Sequence, residues 1–261
     1  MLLKITRSCH MGCIHCLDDA IPCNDHMDMK TFQDAIDFFN QFGGIELIIS
    51  GGEPTDNPLW ANMIRYALDN TYGSTGTGIC HVTLATNGMN IADNIDAQNY
   101  LMTLMDRYGD KFSIQVTHVD AYYPQKVDLS SNFFKLRNVV VCKEIEAMYP
   151  IGRARDNNLP WSSKCSKCFN IRSAVRSIGD LANATLMLNL KNKFCTPQID
   201  IHGNIKLGES RLCPVASSIY KPIEQIVSDI CNFTCSRCDI INQKLPESYL
   251  NAIGEVKKEN Y

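Results

Sequence analysis

Five short apolar runs, LLKIT (2–6), IELIIS (45–50), HVTLA (81–85), FSIQV (112–116) and NVVVC (138–142), alternate with stretches whose apolar residues recur at helical spacing. Runs apolar on consecutive residues suit strands covered on both faces, and covered strands joined by helices must run parallel. Met29, Phe32, Ile36 and Phe39 mark the first helix, which Gly43 and Gly44 stop. Asn57-Pro58 opens a second, carrying Trp60, Ile64, Ala67 and Leu68, and a third carries Tyr100, Leu101, Leu104 and Met105. The expected fold class is α/β, with βα units building an open doubly wound sheet or a barrel over about the first 150–190 residues.

A chain of 261 residues that is 45% hydrophobic has enough apolar surface for a large core plus an appendage. The net charge of -3 comes without any run of five like charges, so neither a nucleic-acid polymer nor a membrane surface is expected as a partner. The N-terminus has Lys4 and Arg7 and no apolar run of signal-peptide length, which points to the cytoplasm. There thirteen cysteines, an odd number, serve metal binding better than disulfides.

Three of them, Cys9, Cys13 and Cys16 in CHMGCIHC, follow the first strand directly. That places them on a loop at the C-terminal edge of a parallel sheet, where active sites of α/β proteins collect. Three closely spaced thiolates suit one face of a [4Fe-4S] cluster and leave one iron open for chemistry. On spacing alone a structural zinc, with His10 or His15 as its fourth ligand, also fits. At the end of the second strand comes Gly51-Gly52-Glu53-Pro54, which by itself reads as a turn.

Together, CHMGCIHC and GGEP resemble the radical S-adenosylmethionine (SAM) superfamily, whose C-x3-C-x-φ-C signature would place His15 at φ. The resemblance implies a partial (β/α)6 barrel. It also implies SAM chelated to the open iron and cleaved reductively to a 5'-deoxyadenosyl radical that abstracts a substrate hydrogen atom. The cofactor-binding set it implies is His15, Gly51, Gly52, Glu53 and Pro54, with Thr86 and Asn87 of a TNG segment, Gln115 and Thr117 on the fourth strand, and Arg153 of a PxGRA-like stretch (148–154). No catalytic acid or base is legible. His118, Asp120 and Tyr122, just past the fourth strand, are weak candidates, because a loop histidine is more often solvated and Tyr122 and Tyr123 equally suit lid packing.

After GRARD (152–156) seven cysteines fall between 165 and 238 and strands shorten, as in a small metal-stapled module. The expected division is a barrel core over 1–160 and a cysteine-rich α+β module over 161–261, with the boundary between 155 and 190. A second triplet, CNFTCSRC (231–238), repeats the first one's spacing, yet only 23 residues follow it, too few for another barrel. Cys195, Cys213, Cys235 and Cys238 instead resemble the ligand set of twitch and SPASM modules. There a hairpin, here IDIHGNIKL with Gly203 at its turn, and a helix, here 221–230, carry an auxiliary [4Fe-4S] cluster. Cys165, Cys168 and Cys231 are possible further ligands, and Cys165/Cys168 with Cys235/Cys238 also read as a zinc ribbon. Cys142, at the end of a Val-rich strand, reads as a small buried hydrophobe, Cys80 stands just before a strand, and Cys23 reads as an exposed residue near the loop.

The functional expectation is a radical SAM enzyme that modifies a peptide or protein, reduced by a donor such as flavodoxin or ferredoxin. A radical dehydrogenase or isomerase of a small molecule or nucleoside is the alternative, and a zinc-stapled binding module without catalysis is a third possibility. The chain begins eight residues before Cys9, so a peptide substrate would need a separate recognition partner or a short docking motif of its own.

Overall fold

The computed structural model describes residues 1–42, 46–71, 78–144, 151–159, 197–208 and 210–233. All five expected strands are present: β1 (Leu2–Lys4), β2 (Glu46–Ser50), β3 (His81–Thr86), β4 (Phe112–Thr117) and β5 (Val139–Cys142). Each pairs parallel with the next. Between them lie α1 (Met29–Phe42), α2 (Trp60–Asp69), the short α3 (Met89–Ala92) and α4 (Ile95–Tyr108). The result is the expected mixed α/β fold with a parallel-strand sheet.

Capping sets the helix ends. Asp28 Oδ1 accepts from Thr31 N before α1, and Asn94 Oδ1 accepts from Ala97 N at the start of α4. Buried Gln98 stitches α3 to α4 by donating to the carbonyls of Ile91 and Ala92, both at 2.9 Å.

One face of the sheet presents Leu3, Ile49, Leu84, Ile114 and Val116, which pack with Phe32, Phe39, Met63, Leu101 and Phe133 into the main core. The alternate face mixes apolar residues such as Leu2 and Ile48 with polar ones and is partly open. Its central row runs from Lys4 through Ser50 to Gln115 and Val140 in register, and Val140 is 55% exposed. Strand alternation therefore turns one face to the helices and leaves the other partly open.

Near the C-terminus, β6 (Pro197–Ile199) and β7 (Asn204–Leu207) form the expected hairpin. Gly203 takes φ 77° at its turn, and Asp200 Oδ1 accepts from both His202 N and Asn204 N. Antiparallel β8 (Val215–Ser218) and helix α6 (Ile223–Asn232) follow. The hairpin extends the same sheet, because β6 lies parallel to β1 and gives the order β5-β4-β3-β2-β1-β6-β7-β8. Among the described residues no helix is long and apolar enough to cross a membrane.

Candidate functional site

The loop after β1 zips onto the segment after β2. Gly52 N donates to Thr6 O and Glu53 N to Ser8 O, at 2.9 and 2.7 Å. This approach explains the glycine pair: a Cβ on Gly51 would lie 2.5 Å from Thr6 O, and one on Gly52 2.2 Å from Ser8 O. The glycines admit the backbone of the cysteine loop, which no side chain at either position would allow to come so close. Pro54 is buried and opens a single 3-10 turn over Pro54–Asp56.

Glu53 is fully buried, and its carboxylate turns inward. Oε1 accepts from Thr55 N, Thr55 Oγ1 and Thr86 Oγ1, and Oε2 accepts from Asn87 N. Burial raises its pKa and these bonds oppose the rise. The side chain thus ties the GGEP segment to the TNG segment. Asn87 in turn reaches Cys9 Sγ with its amide at 3.7 Å.

Cys9, Cys13 and Cys16 form a small apolar cradle with Met11, Ala20, Met89, Tyr123 and Val127. Burial pushes the Cys9 thiol up to about 11. Burial, followed by its two neighbouring cysteines, pushes Cys13 up to about 12. Thiols crowded into such a place ionise readily only against a positive centre, which is what a metal cluster supplies. Main-chain and side-chain N–H groups already point at sulfur: Ala20 N lies 3.4 Å from Cys16 Sγ. Among the described residues no three His, Cys, Asp or Glu side chains could hold one metal ion between them. A cubane is gripped at its corners by thiolates that do not meet at a point, and the donor set fits such a group.

Arg153 clamps the far side of the loop. Its guanidinium donates to Cys13 O and twice to Ala20 O, at 2.8 to 3.1 Å, and pairs with Asp19. It follows Gly152, where a Cβ would meet Cys16 O at 2.5 Å, and begins a short helix, α5 (Arg153–Asp156). The structure therefore places Arg153 on the cysteine loop's backbone.

His15 lies between Tyr122 and Tyr123, with ring centroids at 5.4 and 5.3 Å. Burial, then Arg153, lowers its pKa to about 4, and its Nδ1 is buried with no partner among the described residues. A neutral imidazole with one free nitrogen is left for a bound group to meet.

His118 is buried, not solvated, and stacks 4.7 Å from Tyr123. Its Nε2 lies 3.5 Å from the exposed Asp120. Tyr123, expected as lid packing, belongs to the cradle, and burial followed by the sulfurs of Cys13 and Cys9 raises its phenol pKa strongly. Gln115 is exposed, with its amide 3.8 Å from Cys142 Sγ, and half-buried Thr117 pairs with Cys142 across the strands. Cys142 is half-buried instead of buried, Cys23 is half-buried instead of exposed, and Cys80 is half-buried too.

Asp56 was missed in the sequence, although it stands just after GGEP. Its carboxylate accepts from Ser8 Oγ at 2.9 Å and Asn90 Nδ2 at 2.7 Å and sits 3.1 Å from His10 Nδ1. It thereby joins the cysteine loop to α3. Also unforeseen is a dock for the C-terminal hairpin, where Ser210 Oγ donates to Leu17 O and Arg211 N to Asp18 Oδ1. Asp18 pairs in addition with buried Lys4. Half-buried Cys213 lies on this docked segment and Cys231 on α6. Cys165, Cys168, Cys195, Cys235 and Cys238 lie outside the described residues.

The chain is 28% identical over 183 residues to the uncharacterised protein MJ0907 of Methanocaldococcus jannaschii, a match covering 68% of this chain and 60% of that protein's length. In fold it resembles native anSMEcpe with bound AdoMet, at a TM-score of 0.52 and 11% identity over 87% of this chain and 79% of the other. The same protein with AdoMet and the Kp18Cys peptide gives 0.52 and 12% over the same shares. Identity that low speaks for the fold alone. The sequence profile of the radical SAM superfamily matches residues 3–137, slightly more than half of the 261 residues, and spans both the cysteine loop and the glutamate that braces it. The chain belongs to the radical SAM superfamily.

Proposed function

We propose that the chain is an enzyme that holds a [4Fe-4S] cluster through Cys9, Cys13 and Cys16, cleaves SAM reductively there, and abstracts a hydrogen atom from a peptide. The observation that carries this reading is the apolar cradle that the three cysteines share, braced by Glu53 through Asn87. A cluster held by Cys9, Cys13 and Cys16 would supply the one-electron reduction that splits SAM into methionine and a 5'-deoxyadenosyl radical. The chain's own part is to place and shield. Arg153 and Asp56 hold the two ends of the loop, Tyr123 and Met11 keep water from the sulfurs, and His15 presents a neutral nitrogen.

Two features support a peptide as substrate. The partly open sheet face carries hydrogen-bonding groups at Ser50, Gln115 and Thr117, and a protein of similar fold carries a bound peptide. An auxiliary cluster on Cys195, Cys213, Cys235 and Cys238 belongs to the same proposal. It is supported by the hairpin and helix that frame Cys213. A flavodoxin- or ferredoxin-like donor would supply the electrons.

Anaerobic reconstitution of the full chain tests the proposal. Expected are a brown protein with about four irons for the first cluster and more for a second, and dithionite-driven release of 5'-deoxyadenosine that Cys13→Ala abolishes. Zinc bound without iron, or 5'-deoxyadenosine formation that survives the substitution, would overturn it.

A further inference from the structure

We infer that Asn87 is a positioning and tuning residue of the cysteine site: its side-chain amide donates to Cys9 Sγ and so raises the reduction potential of the cluster bound there. The inference rests on the cluster proposed above.

The geometry leaves that amide little choice. Asn87 is 8% exposed. Its main-chain N donates to Glu53 Oε2 at 2.8 Å, which locates the residue. Its Oδ1 accepts from Met89 N at 2.9 Å, which settles the amide's orientation, because only the oxygen can accept from an N–H. The nitrogen must then point the other way, and there it meets Cys9 Sγ at 3.7 Å.

The neighbours hold the arrangement fixed. Thr86 Oγ1 donates to Glu53 Oε1 and accepts from Gly88 N, at 2.7 and 3.0 Å. Gly88 takes φ 82° and abuts Val116, which a Cβ would approach to 2.9 Å. Cys16 draws its donor from the main chain at Ala20. Asn87 is a donor to a site sulfur that substitution can remove.

The consequence is electrostatic. Reduction adds negative charge to a cluster and its thiolates, and an N–H held against a ligating sulfur stabilises the more negative state. Removing the donor therefore makes the cluster harder to reduce. Were the amide instead a contact to SAM, its loss would weaken SAM binding and leave the potential of the SAM-free cluster unchanged.

The test is an EPR-monitored redox titration of the reconstituted full chain without SAM, comparing wild type with Asn87→Leu. The expected result is full iron content with the midpoint shifted to a more negative potential; full iron with an unchanged midpoint overturns the inference. Because the variant can lose its cluster, the wild-type protein is also examined by pulsed EPR after growth on asparagine labelled with nitrogen-15 in the side-chain amide. A weak nitrogen-15 coupling to the reduced cluster is expected, and its absence overturns the inference. A wild-type chain that takes up no iron would fail the cluster proposal itself, whereas iron without coupling or shift fails the role of Asn87 alone.

Discussion

At the scale of single residues, the site depends on atoms that are missing as much as on atoms that are present. Gly52→Ala would drive a methyl group to 2.2 Å from the Ser8 carbonyl, a backbone clash that no rotamer relieves. We expect a loss of about 1–3 kcal/mol in anaerobic urea titration, together with reduced iron uptake. Glu53→Ala strips four donors of a buried acceptor and should cost about 1–3 kcal/mol, whereas Glu53→Gln, which keeps a carbonyl, should cost less. The glycines and the glutamate were legible from the sequence, but their partners were not. Nothing in GGEP says that its carboxylate faces Thr86 and Asn87, because that direction is fixed by packing between strands more than thirty residues apart. Asp56 escaped notice for the same reason, since an aspartate after a turn looks like a solvated cap until Ser8, His10 and Asn90 are seen around it.

At the scale of elements, periodicity predicted α1 over 29–42, and it forms there as Met29–Phe42. The helix expected over 221–230 forms two residues later, at Ile223–Asn232, with Pro222 as its cap. What ties the far end of the helix down is chemistry that a pattern cannot carry. Asp229 accepts from Ser217, Lys221 and Gln225, and these donors, Lys221 first, lower its pKa to about 2. A carboxylate whose folded pKa is depressed stabilises the fold above its unfolded value near 4 and loses that contribution as pH falls through 2. The pH dependence of unfolding below pH 4 should therefore flatten in Asp229→Asn. Equality between the variant's profile and that of wild type would show that this triad contributes nothing to α6. His118 illustrates the opposite failure: read as a loop residue it was expected in water, yet the chain turns back over 120–123 and buries it under Tyr123.

For the molecule as a whole, the main core joins helices and sheet in one body, with Phe39 and Phe112 wholly buried within it. Phe39→Ala should cost about 3–5 kcal/mol in the same urea titration. The parallel half of the sheet was written plainly in the alternation of apolar runs. Its extension past β1 was not, because strand order is a property of pairing and a three-residue strand such as Pro197–Ile199 carries almost no pattern. That extension also sets an order of events. Leu3 pairs with Ile49 on one side and with Ile199 on the other, so β1 gains its second neighbour only from a strand about two hundred residues further along the chain. Contacts of such long range are slow to close, and the cysteine loop hangs directly from the strand that waits. The loop's β1 anchor thus takes its final place in the sheet only when the hairpin docks, so a substitution that unseats the hairpin should loosen that anchor.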